Sequence, residues 1–142
     1  MGWVPSALYA CRKLTPKDVD IIVATGAPFW GFEIAYRLSK RLRKPFVMDY
    51  RDLWTDNPWN RVKTKWVVAH EQKLLRKSNA ITIVSPKSGE LLGKKFNVLG
   101  KITTITNGFD EGELEKVEVI KFDHFSIIFA GSLISAKMTL LS

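Results

Sequence analysis

Pro45-Phe46-Val47-Met48-Asp49-Tyr50-Arg51-Asp52-Leu53-Trp54 sets a short apolar run directly before a dense polar stretch. Residues 46–48 read as a buried strand, and the polar residues then emerge at its C-terminal end. Four more apolar runs rich in branched residues lie at 21–24, 80–84, 102–105 and 126–130. Turn residues bound them and helix-like stretches separate them. Runs without polar alternation suggest strands covered on both faces, which points to a parallel sheet with crossover helices. The expected class is therefore α/β, an incomplete Rossmann-like parallel sheet with flanking helices.

The intervening stretches support this reading. Residues 30–44 place Phe32, Ala35, Tyr36, Leu38 and Leu42 at helical spacing, with a cationic second half that suits the helix dipole and Pro45 as the stop. Residues 58–78 read as a helix with Asn57 as N-cap, Pro58 in the first position, and Val62, Trp66, Leu74 and Leu75 on the apolar side. A third helix starts at Ser85-Pro86 and carries Leu91, Leu92 and Phe96 inward. Residues 8–14 also read as helix. Asn107-Gly108 signals a turn, and Glu111, Glu113, Glu115 and Glu118 mark a polar linker. The expected organisation is a partial domain at 1–110, a linker at 111–124, and the opening strand and turn of a truncated second domain at 125–142.

The 142 residues carry a net charge of +8, from 22 basic and 14 acidic side chains. Residues 37–77 hold 12 of the basic and 4 of the acidic groups, so the whole excess lies there. A local field of this sign attracts polyanions such as nucleic acid, anionic lipid headgroups or phosphorylated substrates; the alternative is a solvated helix face. No strand interleaves aromatic and basic residues as single-strand readers do, which argues against nucleic acid. Cys11 is the only cysteine, which excludes an internal disulfide and suits a reducing compartment. No basic-then-apolar leader and no run near the ~18 apolar residues of a spanning helix is present. A cytoplasmic location follows as the expectation.

Most signatures of chemistry are missing. Neither G-x-G-x-x-G nor G-x-x-x-x-G-K-[ST] occurs, and the spacing of Gly26 and Gly31 fits neither. His70-Glu71 resembles the start of a zinc motif, but Leu74 stands where the second histidine would be. With His124 the only other histidine, no metal and no cofactor are expected. Ser85 is explained as a helix cap rather than a nucleophile. What remains is Asp49, Arg51, Asp52 and Trp54 at the carboxyl end of a strand, where open α/β sheets place ligands. Carboxylates and a guanidinium could hold a hydroxyl-bearing molecule while the indole packs on its apolar ring surface. An ion pair from Arg51 to Asp52 or Asp49 that braces the loop accounts for the same residues equally well.

The order of motifs also resembles the N-terminal domain of the family 4 (group 1) glycosyltransferases of the GT-B fold. Asp20-Ile21-Ile22-Val23-Ala24-Thr25-Gly26-Ala27-Pro28 and residues 45–54 carry the likeness first. Glu71 with Ser78-Asn79-Ala80-Ile81-Thr82-Ile83-Val84-Ser85, then Ile105-Thr106-Asn107-Gly108-Phe109-Asp110, then Phe129-Ala130-Gly131-Ser132-Leu133 follow in order. The resemblance implies sugar transfer of the hexosyltransferase type, from a nucleotide-sugar co-substrate to an acceptor hydroxyl in polysaccharide or glycolipid synthesis. It further implies a glycan or lipid-linked acceptor and a peripheral place on the inner face of the membrane, reached through the basic segment. Arg51 stands where many relatives carry a histidine, so Arg51 and Asp52 are assigned to substrate positioning and no general base is named. Gly131 and Lys137 match the donor-phosphate turn, with Met138 where a glycine is common. The glycine-rich first loop and the paired donor-side glutamates of the family are lacking, so the resemblance implies a fragment inactive alone. The competing expectations are a basic, non-catalytic module for anionic membrane or nucleic acid, and a truncated chain with an open sheet edge that tends to aggregate.

Overall fold

The computed structural model describes residues 2–57, 64–115 and 121–130. Contacts divide the chain into two compact units, 1–108 and 109–142. The first contains α1 (Val4–Ala10), a 3-10 turn (Cys11–Lys13), β1 (Ile22–Gly26), α2 (Gly31–Leu42), β2 (Phe46–Tyr50) and α3 (Lys65–Lys77). β3 (Ala80–Ile83), α4 (Pro86–Phe96), a second 3-10 turn (Leu99–Lys101) and β4 (Ile102–Thr104) complete it. The strands form one parallel sheet in the order β1-β2-β3-β4, with Ile22 opposite Phe46, Val47 opposite Ala80 and Ile81 opposite Ile102. Four of the five apolar runs are thus strands of an α/β sheet, as expected.

Every crossover steps one place in the same direction. Right-handed crossovers then put the helices on a single face. Phe46, Met48, Tyr50, Ile81 and Ile83 point into that helical layer and pack with Phe32, Leu74, Leu75, Leu92 and Phe96. Alternate residues point the other way, and Val23 on that side is 60% exposed. Cover on both faces was the expectation; among the described residues the sheet is covered on one, because the strand order never reverses.

The helices are set by local signals. The Ser85 hydroxyl accepts from Ser88 N at 3.4 Å, with Pro86 in the first position, which starts α4 where the sequence places it. Thr64 rather than Asn57 caps α3, accepting from Val67 N; the expected helix at 58–63, with Val62, lies outside the described residues. Trp66 and Leu91 are half exposed rather than inward. On α4 the inward stripe runs through Gly89, Leu92, Gly93 and Phe96, which leaves Leu91 off to the side. A Cβ on Gly93 would collide with the Leu99 side chain, so the glycine permits the close return of the chain. The helix expected at 8–14 begins earlier, as Val4–Ala10, and continues as the 3-10 turn Cys11–Lys13, with Val4 packed on Ile34 and Leu38 of α2.

In the second unit, α5 (Glu111–Leu114) is a single turn capped by Asp110, inside the expected linker. Residues 121–130 form neither helix nor strand. The strand expected at 126–130 is therefore absent, and Phe125, Ile127 and Ile128 are exposed. A strand needs a ladder partner, and none of the described residues pairs with this run.

Candidate functional site

The carboxyl ends of β2 and β3 and the first turn of α4 enclose a crevice of about 320 Å³. Arg51, Asp52 and Asn57 line one side, and Val84, Ser85 and Ser88 the other. Arg51 extends to the loop after β4, where its guanidinium donates to Asn107 Oδ1 at 2.5 Å. Three successive strand ends thus contribute to one edge of the sheet. Arg51 and Asp52 are exposed, so donors and an acceptor are available to a polar ligand.

Asp49 and Trp54 are placed differently. Strand alternation turns Asp49 to the open face of the sheet, where it accepts from the Thr82 hydroxyl at 2.6 Å. Trp54 is buried, with its indole stacked on Phe29 at 5.4 Å and meeting Trp30 edge-on. An indole so enclosed holds the loop from behind rather than presenting a face to a ligand. Gly131 and Lys137 lie outside the described residues. Ser85 and Ser88 line the crevice, and Asn107 holds Arg51 beside it, without having been singled out for binding. The signal was there for two of them, since the Ser85 cap and the Asn107-Gly108 turn both follow strand ends.

The loop after β2 is braced from two helices. Glu71 of α3, fully buried, accepts from Tyr50 Oη at 3.0 Å and from Thr55 Oγ1 at 2.5 Å. Lys95 of α4 donates to Asp56 Oδ1 at 2.7 Å and reaches Thr55 Oγ1 at 3.3 Å. Burial pushes the Glu71 carboxyl above its ordinary value, against the pull of its hydroxyl donors and Lys95. Burial beside Glu71 likewise holds the Tyr50 phenol well above its usual range. His70 is packed among Trp30, Trp54 and Trp66, and burial draws its pKa below the ordinary value. Among the described residues, no group of three or more His, Cys, Asp or Glu side chains could hold a metal ion.

The excess charge gathers on neighbouring helices. Lys40 of α2 and Lys73 of α3 both lie over the Tyr36 ring, at 5.7 and 5.5 Å from its centroid. Lys73, Arg76 and Lys77 continue the positive surface along α3 beside a shallow groove. No described helix is long and apolar enough to cross a membrane.

The profile of the family described as Glycosyltransferase Family 4 matches residues 2–113. A search of curated proteins gives no match.

Proposed function

This chain belongs to glycosyltransferase family 4, and from that premise we propose that its crevice is the acceptor-side wall of a sugar-transfer site. The observation that carries the reading is the convergence of Arg51 and Asp52 with the start of α4 at the carboxyl edge of the sheet. Arg51 donates to acceptor hydroxyls or phosphate and Asp52 accepts from hydroxyls. Asp49 and Trp54 support the loop through Thr82 and the aromatic core. The donor is a nucleotide sugar, and the acceptor a glycan or lipid-linked intermediate of polysaccharide or glycolipid synthesis.

Residues 1–110 form the acceptor-side part in this reading, 111–124 the linker, and 125–142 the opening of a donor-side part, with Gly131 and Lys137 toward the diphosphate. Much of the catalysis comes from holding two substrates together, so the 142-residue chain is inactive by itself. Calorimetric titration with glycan and glycolipid acceptors tests the assignment. Binding by the chain that is lost in both Arg51→Ala and Asp52→Ala supports it, and binding of nucleotide sugars alone contradicts it. Turnover of any nucleotide sugar by the purified chain contradicts the inactivity.

The Lys40, Lys73 and Tyr36 cluster supports a cytoplasmic-side membrane contact, since each basic residue near an anionic leaflet contributes about 1 kcal/mol. The same cluster favours the second reading, a non-catalytic module that docks on anionic surfaces.

A further inference from the structure

Five asparagines occur in the chain, and only Asn107 stands before a glycine. Asn57 precedes Pro58, whose nitrogen carries no hydrogen, and Asn60, Asn79 and Asn97 precede residues with a Cβ. Asn79 is held as well, since its Oδ1 accepts from Phe46 N at 3.0 Å. Asn107 is exposed and lies just past β4, where the ladder ends with Ile105 N donating to Ile83 O at 2.9 Å. Among the described residues, no backbone hydrogen bond holds 106–108. A Cβ placed on Gly108 would meet nothing within 4 Å, so no neighbour crowds this glycine.

The Asn107 amide is also polarised. Arg51 donates to its Oδ1 at 2.5 Å. A guanidinium offers donors only, so the amide oxygen is the atom that faces it. Attack on the amide carbon by the Gly108 nitrogen puts negative charge on that oxygen. A cationic donor already aimed at the oxygen lowers the barrier to the attack.

We propose that Asn107 is a self-modifying site, with Arg51 promoting loss of its amide and the new carboxylate then holding Arg51 away from the crevice. The Gly108 nitrogen gives its proton to hydroxide and bonds to Cγ of Asn107. The Cγ–Nδ2 bond breaks, Nδ2 takes a proton from water and leaves as ammonia, and a succinimide ring remains. Water opens the ring at either carbonyl, which leaves aspartate or isoaspartate at position 107. Water is the sole co-reactant. The neutral bond to Arg51 becomes a charge-assisted one, roughly twice as strong. Arg51 lines the crevice, so a converted chain offers it less readily to an acceptor. That consequence rests on the acceptor-side reading; the modification does not.

The test is incubation of the full chain at mildly alkaline pH, followed by peptide mapping in the mass spectrometer and enzymatic methylation of isoaspartate. Conversion should concentrate at Asn107 and spare Asn79 and Asn97. Arg51→Ala should slow it several-fold, an exposed donor contributing less than one in an enclosed oxyanion site. Arg51→Lys should restore part of the rate. Arg51 is exposed, so both variants should keep their far-ultraviolet dichroism. Gly108→Ala, which fits without a clash, should also slow conversion. In Asn107→Asp, phenylglyoxal should label Arg51 several-fold more slowly than in the unaltered chain, with exposed Arg76 as the internal reference. An amide at 107 that survives as long as those at 79 and 97, or conversion as fast in Arg51→Ala as in the unaltered chain, would overturn the proposal. Unchanged labelling of Arg51 in Asn107→Asp would overturn its second half. Conversion and labelling as stated, in a chain that binds no glycan, would uphold this site and count against the acceptor-side reading alone.

Discussion

The Tyr50 hydroxyl donates to Glu71 across 3.0 Å, tying the last residue of β2 to the middle of α3. Thr55 donates to the other carboxylate oxygen. One buried carboxylate therefore clamps both ends of the loop that carries Arg51 and Asp52. Glu71→Ala strands two buried hydroxyls, at about 1–3 kcal/mol for each unsatisfied group. Urea unfolding should show a clear fall in midpoint, with a smaller fall for Glu71→Gln, which keeps one acceptor. A Glu71→Ala chain within about 0.5 kcal/mol of the original would remove the clamp from the account.

Buried Glu71 and half-buried His70 tilt stability with pH in opposite senses. The Glu71 carboxyl is raised above 4.5 by burial, so its contribution is fully present below that pH and is lost as pH rises through the folded value. His70 is lowered from 6.5 by burial, with Lys73 and Arg37 helping and Glu33 opposing. Its contribution is present above 6.5 and is lost as pH falls through the lowered value. In urea midpoints measured across this range, His70→Gln should flatten the acid-side decline just below pH 6.5. An unchanged pH profile would count against a neutral, half-buried imidazole.

The cationic face of α2 and α3 gives a sharper expectation than net charge alone. Reversing Lys40 and Lys73 to Glu should weaken sedimentation with anionic vesicles by more than about tenfold, at about 1 kcal/mol per basic residue. Raising salt should have the same effect on the unaltered chain. Equal binding to neutral vesicles, or RNA binding with none to anionic vesicles, would refute the lipid-facing assignment.

Among the described residues one face of the sheet is uncovered, and this makes self-association measurable. Parallel sheets rarely leave apolar surface open, and Val23 stands on that face near the β1 edge. Light scattering should show apparent mass rising with concentration, and less so for Val23→Lys. The same rise in the variant would place any association elsewhere.

Much of the sheet was legible in the sequence because four apolar runs sit between capped, periodic helices. The Ser85-Pro86 start of α4 depends on adjacent residues only, and the sequence states it directly. Which face of a strand is covered depends instead on the direction in which successive crossovers travel, and no local pattern carries that. Asp49 and Arg51 therefore looked alike in sequence although alternation turns Asp49 to the open face. Trp54 was misplaced for a related reason, since its burial needs Phe29 and Trp30 from the preceding crossover. At 126–130 the strand-like composition was real, but a ladder requires a partner that composition cannot reveal.

Nuclear magnetic resonance of the isotopically labelled chain, titrated with short neutral glycans, tests the acceptor-side crevice most directly. Amide shifts that saturate together at Arg51, Asp52, Ser85 and Ser88 are the predicted result. Saturating shifts that leave those four amides unmoved, or no shifts at any glycan concentration, would contradict it.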